Sequence, residues 1–398
     1  MNLLFLSAWC PYPADNGSKQ RIYHLLRGLS QRHTVDLVSF CPEGDDGVKA
    51  AHLHTFCREV HLLHATPFAR RTAGRLAGLF ALQPRSLVGD HSLAMAALVA
   101  RQAAERHYDV LVASELHMLP YALQVRALPL VLEDLELVTL YDQLRSAAIP
   151  ARRLRAGLTW WKTRAYVSRA LRRCAGFSVV SAAEEALVAA FAPRKLPCAV
   201  VPNGVDVAGC TGPWPAPEAN SLIYPGALSY DANFDAVAHF LQAMLPQIRH
   251  ERPTVRLRVT GRATPEQIRA LPPAEGVEFT GYLDDVRPAV AGSWAEVVPL
   301  RKGGGTRLKV LEALALGTPV VATAKGVEGL DLRAGHEVLV ADTPAAFATT
   351  TLQLLASPTL RQELAERGQQ AVARYDWAQS VGRLEDLLAQ ALATSPIT

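Results

Sequence analysis

The sequence has few of the features that mark membrane-spanning, disulfide-bonded or metal-binding chains. No apolar run approaches the roughly 20 residues that a membrane-spanning helix needs, since Trp9, Pro11 and Asp15 cut short the run Leu3–Ala8. The six cysteines form no C-x-x-C pair and no Cys/His cluster with zinc spacing, which favours packed, reduced thiols in a cytoplasmic protein. No G-x-G-x-x-G follows a predicted strand, which argues against a dinucleotide-dependent oxidoreductase.

Charge is sparse and unevenly distributed. Of the 398 residues, 20% are charged and 49% are apolar, a balance that excludes a disordered chain. Residues 1–200 hold 24 Lys and Arg against 16 Asp and Glu, whereas residues 201–398 hold 17 against 21. We therefore expect the two halves to face different partners. The absence of a positive residue before Leu3 favours a buried first strand over a signal peptide.

Short runs rich in Val, Leu, Ile and Phe recur between longer segments of helical character. They lack strict apolar and polar alternation, as expected for parallel strands covered on both faces by helices. The first series of predicted strands is Leu3–Ser7, Val35–Phe40, Val60–Leu63, Val110–Ser114, Leu130–Glu133, Phe177–Ser181 and Ala199–Val201. The second is Leu222–Tyr224, Val255–Thr260, Val277–Thr280, Glu296–Leu300, Pro319–Thr323 and Val338–Val340.

Between the two series lies Pro202–Pro217, whose four prolines and three glycines are typical of a linker. The pattern predicts an α/β chain with domains at 1–203 and 218–375 and a linker at 204–217. A last helix within 376–398 is expected to pack back on the first domain. A ligand cleft is expected between the domains, at the carboxyl ends of the strands.

The most informative segment, 299–321, is predicted to form a strand, a glycine-rich loop, a helix, a glycine stop and a strand. Gly303, Gly304 and Gly305 would let a ligand approach the backbone, and the following helix N-terminus would attract an anion. Four basic residues around this turn suit a diphosphate: Arg301, Lys302, Arg307 and Lys309. Glu312 could accept hydrogen bonds from sugar hydroxyls. The alternative is an ordinary β–α turn with a solvated Glu and Lys.

This segment resembles the donor site of family 4 of the glycosyltransferases in the order of its parts: the glycine-rich loop, Lys309, Leu-Glu-Ala and Gly-Thr-Pro-Val-Val. Members of that family are retaining enzymes of the GT-B fold. The likeness covers nearly the whole chain. Other stretches similar to family motifs are Pro202–Asp206 at the interdomain crossing, Tyr224–Gly226 and Val259–Arg262 in strands of the second domain, Phe279–Val286 around the nucleotide base, and Pro11–Arg21 after the first strand.

The resemblance implies two Rossmann-like domains, with the donor mainly on the second and the acceptor on the first. It implies that Lys309 and Arg307 stabilise the departing diphosphate, without a metal or another cofactor; no Asp-x-Asp occurs in the chain. It assigns Glu312 to the ribose hydroxyls. The donor-binding residues that it implies are Gly17, Asn203, Gly226, Arg262, Tyr282, Leu283, Gly303, Gly304, Gly305, Thr306, Leu308 and Glu312.

Two departures from the family pattern concern the donor. The family's motif has two glutamates, and Gly304 stands in the place of the first, which normally contacts the transferred sugar. The Arg and Lys that clamp the diphosphate after the strand ending at Gly226 are also missing. Arg262, Arg307 and Lys309 are therefore expected to take over that clamp.

In the first domain, acidic residues follow two predicted strands. Glu133 and Asp134 could orient or deprotonate an acceptor hydroxyl, or form a helix N-cap. His117 follows the preceding strand and could act on the acceptor or lie on the surface.

Two basic stretches without acids, Thr66–Val88 and Arg145–Arg173, could bind an anionic membrane surface or form solvated helix faces. No recognition motif for nucleic acid accompanies them. The function expected is transfer of a hexose from a nucleoside diphosphate sugar to a hydroxyl of a glycan, lipid-linked or secondary-metabolite acceptor. The alternatives are a nucleotide-sugar epimerase of GT-B fold and a non-catalytic nucleotide-sugar-binding partner of a transferase.

Overall fold

The computed structural model describes residues 1–42, 44, 46–64, 91–147, 149–192 and 196–394. The basic stretch Thr66–Val88 lies outside the described residues. The chain divides into two compact units, and each is treated by itself below. Unit 1 comprises Met1–Asn203 and Trp377–Thr398, and unit 2 comprises Gly204–Asp376.

Unit 1 contains a seven-stranded parallel sheet. Its strands are β1 Asn2–Ser7, β2 Thr34–Cys41, β3 Glu59–His64, β4 Val110–Ser114, β5 Leu130–Glu133, β6 Gly176–Val179 and β7 Cys198–Val200, in the order β3-β2-β1-β4-β5-β6-β7. Leu3 pairs with Val35 on one side and with Val110 on the other. Both faces of β1 are buried, because Leu4 and Leu6 belong to one hydrophobic cluster and Leu3 and Phe5 to another.

Helices cover this sheet. They are α1 Gly17–Leu29, α2 Asp46–Leu53, α3 Leu93–Glu105, α4 Leu119–Ala122, α5 Val138–Ser146, α6 Pro150–Leu171 and α7 Ala182–Ala189. The start of α1 is fixed by Asn16, whose side chain accepts a hydrogen bond from the backbone N–H of Lys19. This cap places Gly17 at the first helical position, just beyond the carboxyl end of β1.

Unit 2 contains a six-stranded parallel sheet in the order β10-β9-β8-β11-β12-β13. Its strands are β8 Glu218–Pro225, β9 Arg256–Thr260, β10 Val277–Gly281, β11 Ser293–Val298, β12 Val320–Ala322 and β13 Leu339–Val340. Its helices are α8 Asp231–His239, α9 Leu245–Glu251, α10 Pro265–Arg269, α11 Arg287–Ala291, α12 Leu308–Ala315, α13 Pro344–Ala356 and α14 Pro358–Val372. The predicted α/β class and the two doubly wound sheets are confirmed.

The strand order reverses beside the first strand of each sheet, at β1 in unit 1 and at β8 in unit 2. Such switch points leave a crevice at the carboxyl ends of the strands, where ligands of Rossmann-like folds bind. The segment with linker composition folds onto unit 2, since Val205 and Cys210 belong to its hydrophobic core.

The last described helix, α15 Trp377–Thr394, belongs to unit 1. Its Leu384 and Leu388 join the same cluster as Leu25 and Leu29 of α1. A side chain at Gly28 would collide with Val381, so the two helices lie in close contact at that point.

In the part of the chain that the structure describes, no helix is both long and apolar enough to span a lipid bilayer.

Candidate functional site

The triglycine loop, Gly303–Gly305, connects β11 to α12 near the carboxyl edge of the unit 2 sheet. Gly303 and Gly305 have φ of +104° and +80°, conformations that other residues adopt only with strain. No side chain caps the N-terminus of α12. Thr306 and Leu308 lie at the same turn, where the N–H of Leu308 donates to the carbonyl of Thr306 over 2.9 Å. The end of this helix therefore faces the region that the loop borders, as an anion site requires.

Arg307 holds this loop from inside. Only 6% of its side chain is exposed, and its guanidinium donates to the carbonyls of Gly303, Gly304 and Lys325 over 2.9–3.1 Å. Burial lowers the pKa of Arg307 from its ordinary value, although Glu328 opposes the shift. The hydrogen bonds to carbonyls favour a structural role for this residue over the phosphate contact expected from the sequence.

Arg301 and Lys302 are also committed to protein partners. Arg301 forms a two-pronged ion pair with Asp235, and Lys302 pairs with Asp231 at 2.7 Å. Both acids lie on α8. Of the four basic residues that the sequence placed around this turn, Arg301, Lys302 and Arg307 therefore already have protein partners.

Lys309 is the basic residue of this group that is held beside the carboxyl end of the central strand β8. Its amine donates to Asn233 Oδ1 over 3.1 Å and lies 3.9 Å from the centre of the Tyr224 ring. The hydroxyl of Tyr224 donates to the same Asn233 oxygen over 2.8 Å. A Cβ on Gly226 would lie only 2.9 Å from the Lys309 amine, so a glycine there leaves room for this side chain.

Two glutamates, the buried Glu296 and the half-buried Glu312, influence the charge of Lys309. Burial lowers the pKa of Lys309 to about 8, while the nearby Glu296 and Glu312 oppose the shift. Burial raises the pKa of Glu296 well above its usual range, and the nearby Lys309 acts against this shift. Glu312 follows Lys309 by three residues on the same face of α12. A cation and a carboxylate thus stand one helical turn apart, as a diphosphate and its neighbouring ribose would require.

Two loops at the neighbouring strands carry the remaining residues predicted for unit 2. The guanidinium of Arg262 stacks on the ring of Tyr282, 4.8 Å from its centre. Both side chains are exposed, and Leu283 beside them is half-buried. Gly261, with φ of +110°, would collide with the backbone of Gly226 if it had a Cβ, so the two loops touch.

Four of the other predicted residues, Gly17, His117, Asp134 and Asn203, meet in a pocket of about 320 Å³ within unit 1, called here the unit 1 pocket. It is lined by Trp9, Gly17, Ser18, Arg21, Glu115, Leu116, His117, Asp134, Glu136 and Asn203. Gly17 and Asn203 therefore lie with the expected acceptor residues His117 and Asp134. The predicted donor-binding set is divided between the two units.

Glu133 does not line this pocket. It is fully buried, where Oε1 accepts from Arg21 Nε over 2.8 Å and Oε2 accepts from the Ser114 hydroxyl over 2.7 Å. Arg21 also donates to the carbonyl of Val201 and to Asn203 Oδ1. Burial opposes the charge of Arg21, but the carboxylates of Glu133 and Asp134 raise its pKa. Glu133 thus anchors Arg21 rather than facing a ligand.

The sequence reasoning missed Arg21, Glu115, Asn233 and Glu296 as members of these sites. The position of Arg21 one turn after Gly17 in α1, and of Glu115 directly after β4, were available signals. Asn233 and Glu296 carried none, because an amide in a helix and one acid in a strand are common features.

Two Rossmann-like units in one chain, each with its switch point at the first strand, are the architecture of the GT-B class of glycosyltransferases. The structure resembles sucrose-phosphate synthase of Thermosynechococcus elongatus, with a TM-score of 0.66 and 18% identity over 99% of this chain and 100% of that one. It also resembles HepE of Anabaena, solved in complex with UDP and glucose, with a TM-score of 0.64 and 17% identity over 98% and 99%.

Family profiles match both parts of the chain. Residues 15–208 match the profile "Glycosyltransferase Family 4", and residues 219–357 match "Glycosyl transferases group 1". The chain belongs to glycosyltransferase family 4. It is 32% identical over 192 residues to a phosphatidyl-myo-inositol mannosyltransferase of Mycobacterium leprae, a match that covers 45% of this chain and 50% of that relative. The chain thus spans about half the length of the curated relatives it matches.

Proposed function

We propose that the protein is a retaining glycosyltransferase that moves a hexose from a nucleoside diphosphate sugar to an acceptor hydroxyl. One observation carries the proposal. A lysine amine stands beside the uncapped N-terminus of α12, at the carboxyl edge of a Rossmann-like sheet and against a glycine. This is a site for two linked phosphoryl groups. HepE, solved with UDP and glucose, and the mycobacterial mannosyltransferases support a nucleotide hexose as donor.

The leaving nucleoside diphosphate gains negative charge as the glycosidic bond breaks. Lys309 and the amides of the triglycine loop stabilise that charge, and Glu312 holds the ribose. Arg262, whose backbone carbonyl accepts a hydrogen bond from the N–H of Leu228 in the loop after Gly226, supplies a second cation. In this proposal the departing phosphate needs no metal and no separate cofactor. Arg307 acts indirectly, because it fixes the carbonyls of the triglycine loop.

The acceptor is proposed to bind in unit 1, at the pocket that contains His117 and Asp134. Its carrier is a glycan, a lipid or a secondary metabolite, and the named activity of the mycobacterial relatives supports a lipid. We further propose that the protein works in the cytoplasm at an anionic membrane surface. Exposed Leu154, Leu158 and Trp161 form one stripe on α6 among its arginines, which suits a peripheral contact.

Substitution of Lys309 tests the donor site. Lys309→Ala is expected to lower kcat by about 100-fold or more, with a much smaller change in donor KM, because the amine acts mainly on charge that develops in the transition state. Nucleotide release from UDP-, GDP-, ADP- and dTDP-hexoses with candidate acceptors measures this. Lys302→Ala is the matched control, since that lysine borders the same loop but is paired with Asp231.

Equal losses in kcat and donor affinity would contradict the role of Lys309 in the departure of the phosphate. Donor binding without nucleotide release would favour the non-catalytic alternative. Conversion of the sugar without transfer would favour an epimerase. If none of the four nucleoside diphosphates binds in calorimetry, the donor site itself is wrong.

A further inference from the structure

The unit 1 pocket is rich in carboxylates and poor in available positive charge. Glu115 and Asp134 directly follow the neighbouring strands β4 and β5, and Glu136 stands beside them. The arginine among the lining residues, Arg21, is already bonded to Glu133, Val201 and Asn203. An anionic ligand would therefore meet repulsion here, whereas a cation or a hydrogen-bond donor would be attracted.

Asp134 supplies an independent sign of a missing ligand. Its side chain is only 10% exposed. Oδ2 lies 3.6 Å from Arg21 Nε, but Oδ1 is buried without a hydrogen-bond partner in the described residues. A buried carboxylate oxygen without a donor costs about 1–3 kcal/mol or more. The part of this side chain that remains exposed lines the pocket, where a ligand that carried a donor would stabilise the carboxylate.

The like charges in the pocket oppose one another. Burial, together with Asp134 and Glu133, raises the pKa of Glu115 to about 8. The surrounding protein and Asp134 raise the pKa of Glu136 to about 7 although its side chain is exposed, while Arg21 acts against this shift. A neutral hydroxyl would donate to Asp134 but leave the ionisation of its neighbours disfavoured. An ammonium group offers three donors and a positive charge, so it would both donate to Asp134 and stabilise the charged forms of the neighbouring carboxyl groups.

The shape of the pocket suits a single sugar ring. Its volume of about 320 Å³ is at the lower end for small-molecule sites. Trp9 forms one wall, and its ring is held in place because Nε1 donates to Glu115 Oε2 over 3.2 Å. A fixed aromatic wall beside carboxylates offers an apolar surface to the ring and acceptors to its substituents.

We propose that the unit 1 pocket binds an amine-bearing sugar or polyol, whose protonated amine contacts Asp134 while a hydroxyl of the same ring is the glycosyl acceptor. The assignment as acceptor rests on the proposed function. It narrows the acceptor to hydroxylated amines and disfavours one that carries a phosphate or carboxylate on this ring.

The full chain is titrated in EDTA-containing buffer at pH 7, by calorimetry and saturation-transfer NMR, with glucosamine, glucose, N-acetylglucosamine and glucose 6-phosphate. Glucosamine is expected to bind about tenfold more tightly than glucose or N-acetylglucosamine, and glucose 6-phosphate more weakly still. Asp134→Asn should abolish the preference for the amine. Asparagine tolerates the φ of +62° at this position, so the fold is preserved.

Asp142→Asn is the matched control, an exposed aspartate of the same unit, and it should retain the preference for glucosamine. Glu136→Gln provides a second variant and should reduce the preference as well. Equal binding of glucosamine and N-acetylglucosamine, or a preference that survives both substitutions in the pocket, overturns the proposal. A parallel titration with UDP distinguishes a failure of this inference from a failure of the proposed function. If UDP binds but glucosamine is not preferred, only the inference about the amine is wrong. If UDP does not bind, the proposed function is wrong.

Discussion

Glu115 and Asp134 both lie in the left-handed region of backbone space, with φ of +66° and +62°. For residues other than glycine this conformation costs about 1 kcal/mol or more. Hydrogen bonds hold both backbones in place: the N–H of Glu115 donates to the carbonyl of Glu133, and that of Asp134 donates to the Ser178 hydroxyl. This conformation accompanies two carboxyl groups that line one pocket, where the charge of Asp134 disfavours ionisation of Glu115.

The raised pKa of Glu115 makes stability depend on pH. The unfolded carboxyl loses its proton near pH 4.5, but the folded one keeps it until about pH 8, so stability falls as pH rises through this window. Glu115→Gln removes the ionisation. We expect this variant to melt about 2–6 °C above the parent at pH 9 and close to it at pH 5.

Differential scanning calorimetry across pH 5–9 checks this expectation. Glu105→Gln changes an exposed glutamate of the same unit and should leave the pH profile unaltered. A constant offset at all pH values would show that Glu115→Gln acts through packing instead.

For single residues, spacing along the sequence shows which side chains share a helix face, but it does not show their hydrogen-bond partners. Lys309 and Glu312 could be placed on one helix face because they are three positions apart after a glycine loop. The contact of Arg307 with the loop carbonyls could not be predicted. A long flexible arginine side chain can extend into solvent or bind the backbone, and the sequence does not distinguish the two. The left-handed backbone of Asp134 had no signal either, since aspartate is common in ordinary turns.

Secondary-structure elements were far more predictable than single contacts. All thirteen predicted strands occur, because buried parallel strands are continuous apolar runs. The predicted ends of some strands differ from the observed ones. The strand expected at Glu296–Leu300 is Ser293–Val298, because Glu296 is polar, which indicates a strand boundary, although it is buried. Packing between distant helices, such as α1 against α15, depends on shape that no local pattern encodes.

The contact between α1 and α15 can be tested at Gly28. A methyl group there overlaps Val381, a stiff β-branched side chain. Overpacking of this kind costs about 1–3 kcal/mol, more than the roughly 1 kcal/mol that alanine gains over glycine in a helix. We expect Gly28→Ala to lower the free energy of unfolding of unit 1 by about 1 kcal/mol, as measured by urea denaturation.

Val381→Ala should restore much of this loss in the double variant, giving a coupling free energy that a double-mutant cycle resolves. Gly382→Ala is the control on α15, because nothing lies within 4 Å of the added methyl group. It should stabilise the protein through helix propensity alone. Additive effects of Gly28→Ala and Val381→Ala would show that the helices are not in contact there.

At the scale of the molecule, the tandem architecture could be predicted from periodicity and the positive first half from simple counting. The distribution of that charge over the surface could not. In unit 1, Arg152, Arg153 and Arg155 are exposed near the start of α6, beside the stripe of Leu154, Leu158 and Trp161. Such a combination favours the headgroup region of an anionic bilayer.

Vesicle binding tests this surface. The protein should bind vesicles rich in phosphatidylglycerol more tightly than phosphatidylcholine vesicles, and binding should weaken as salt rises. Replacing Arg152, Arg153 and Arg155 with Gln should lower affinity by about 100-fold, from about 1 kcal/mol per charge. Replacing Arg256, Arg269 and Arg333, which are exposed in unit 2, should not. Co-sedimentation that ignores lipid charge would remove the membrane from the proposal.

The place of α15 in unit 1 has a consequence for biosynthesis. Leu384, Leu387 and Leu388 complete a core whose other walls are made from the first part of the chain. While a ribosome is still translating unit 2, the nascent α1 therefore has an apolar face without its final cover. Unit 2 is continuous in sequence, so it can finish folding first although it is made second. We therefore expect chaperones to bind mainly to the amino-terminal half of the chain during synthesis.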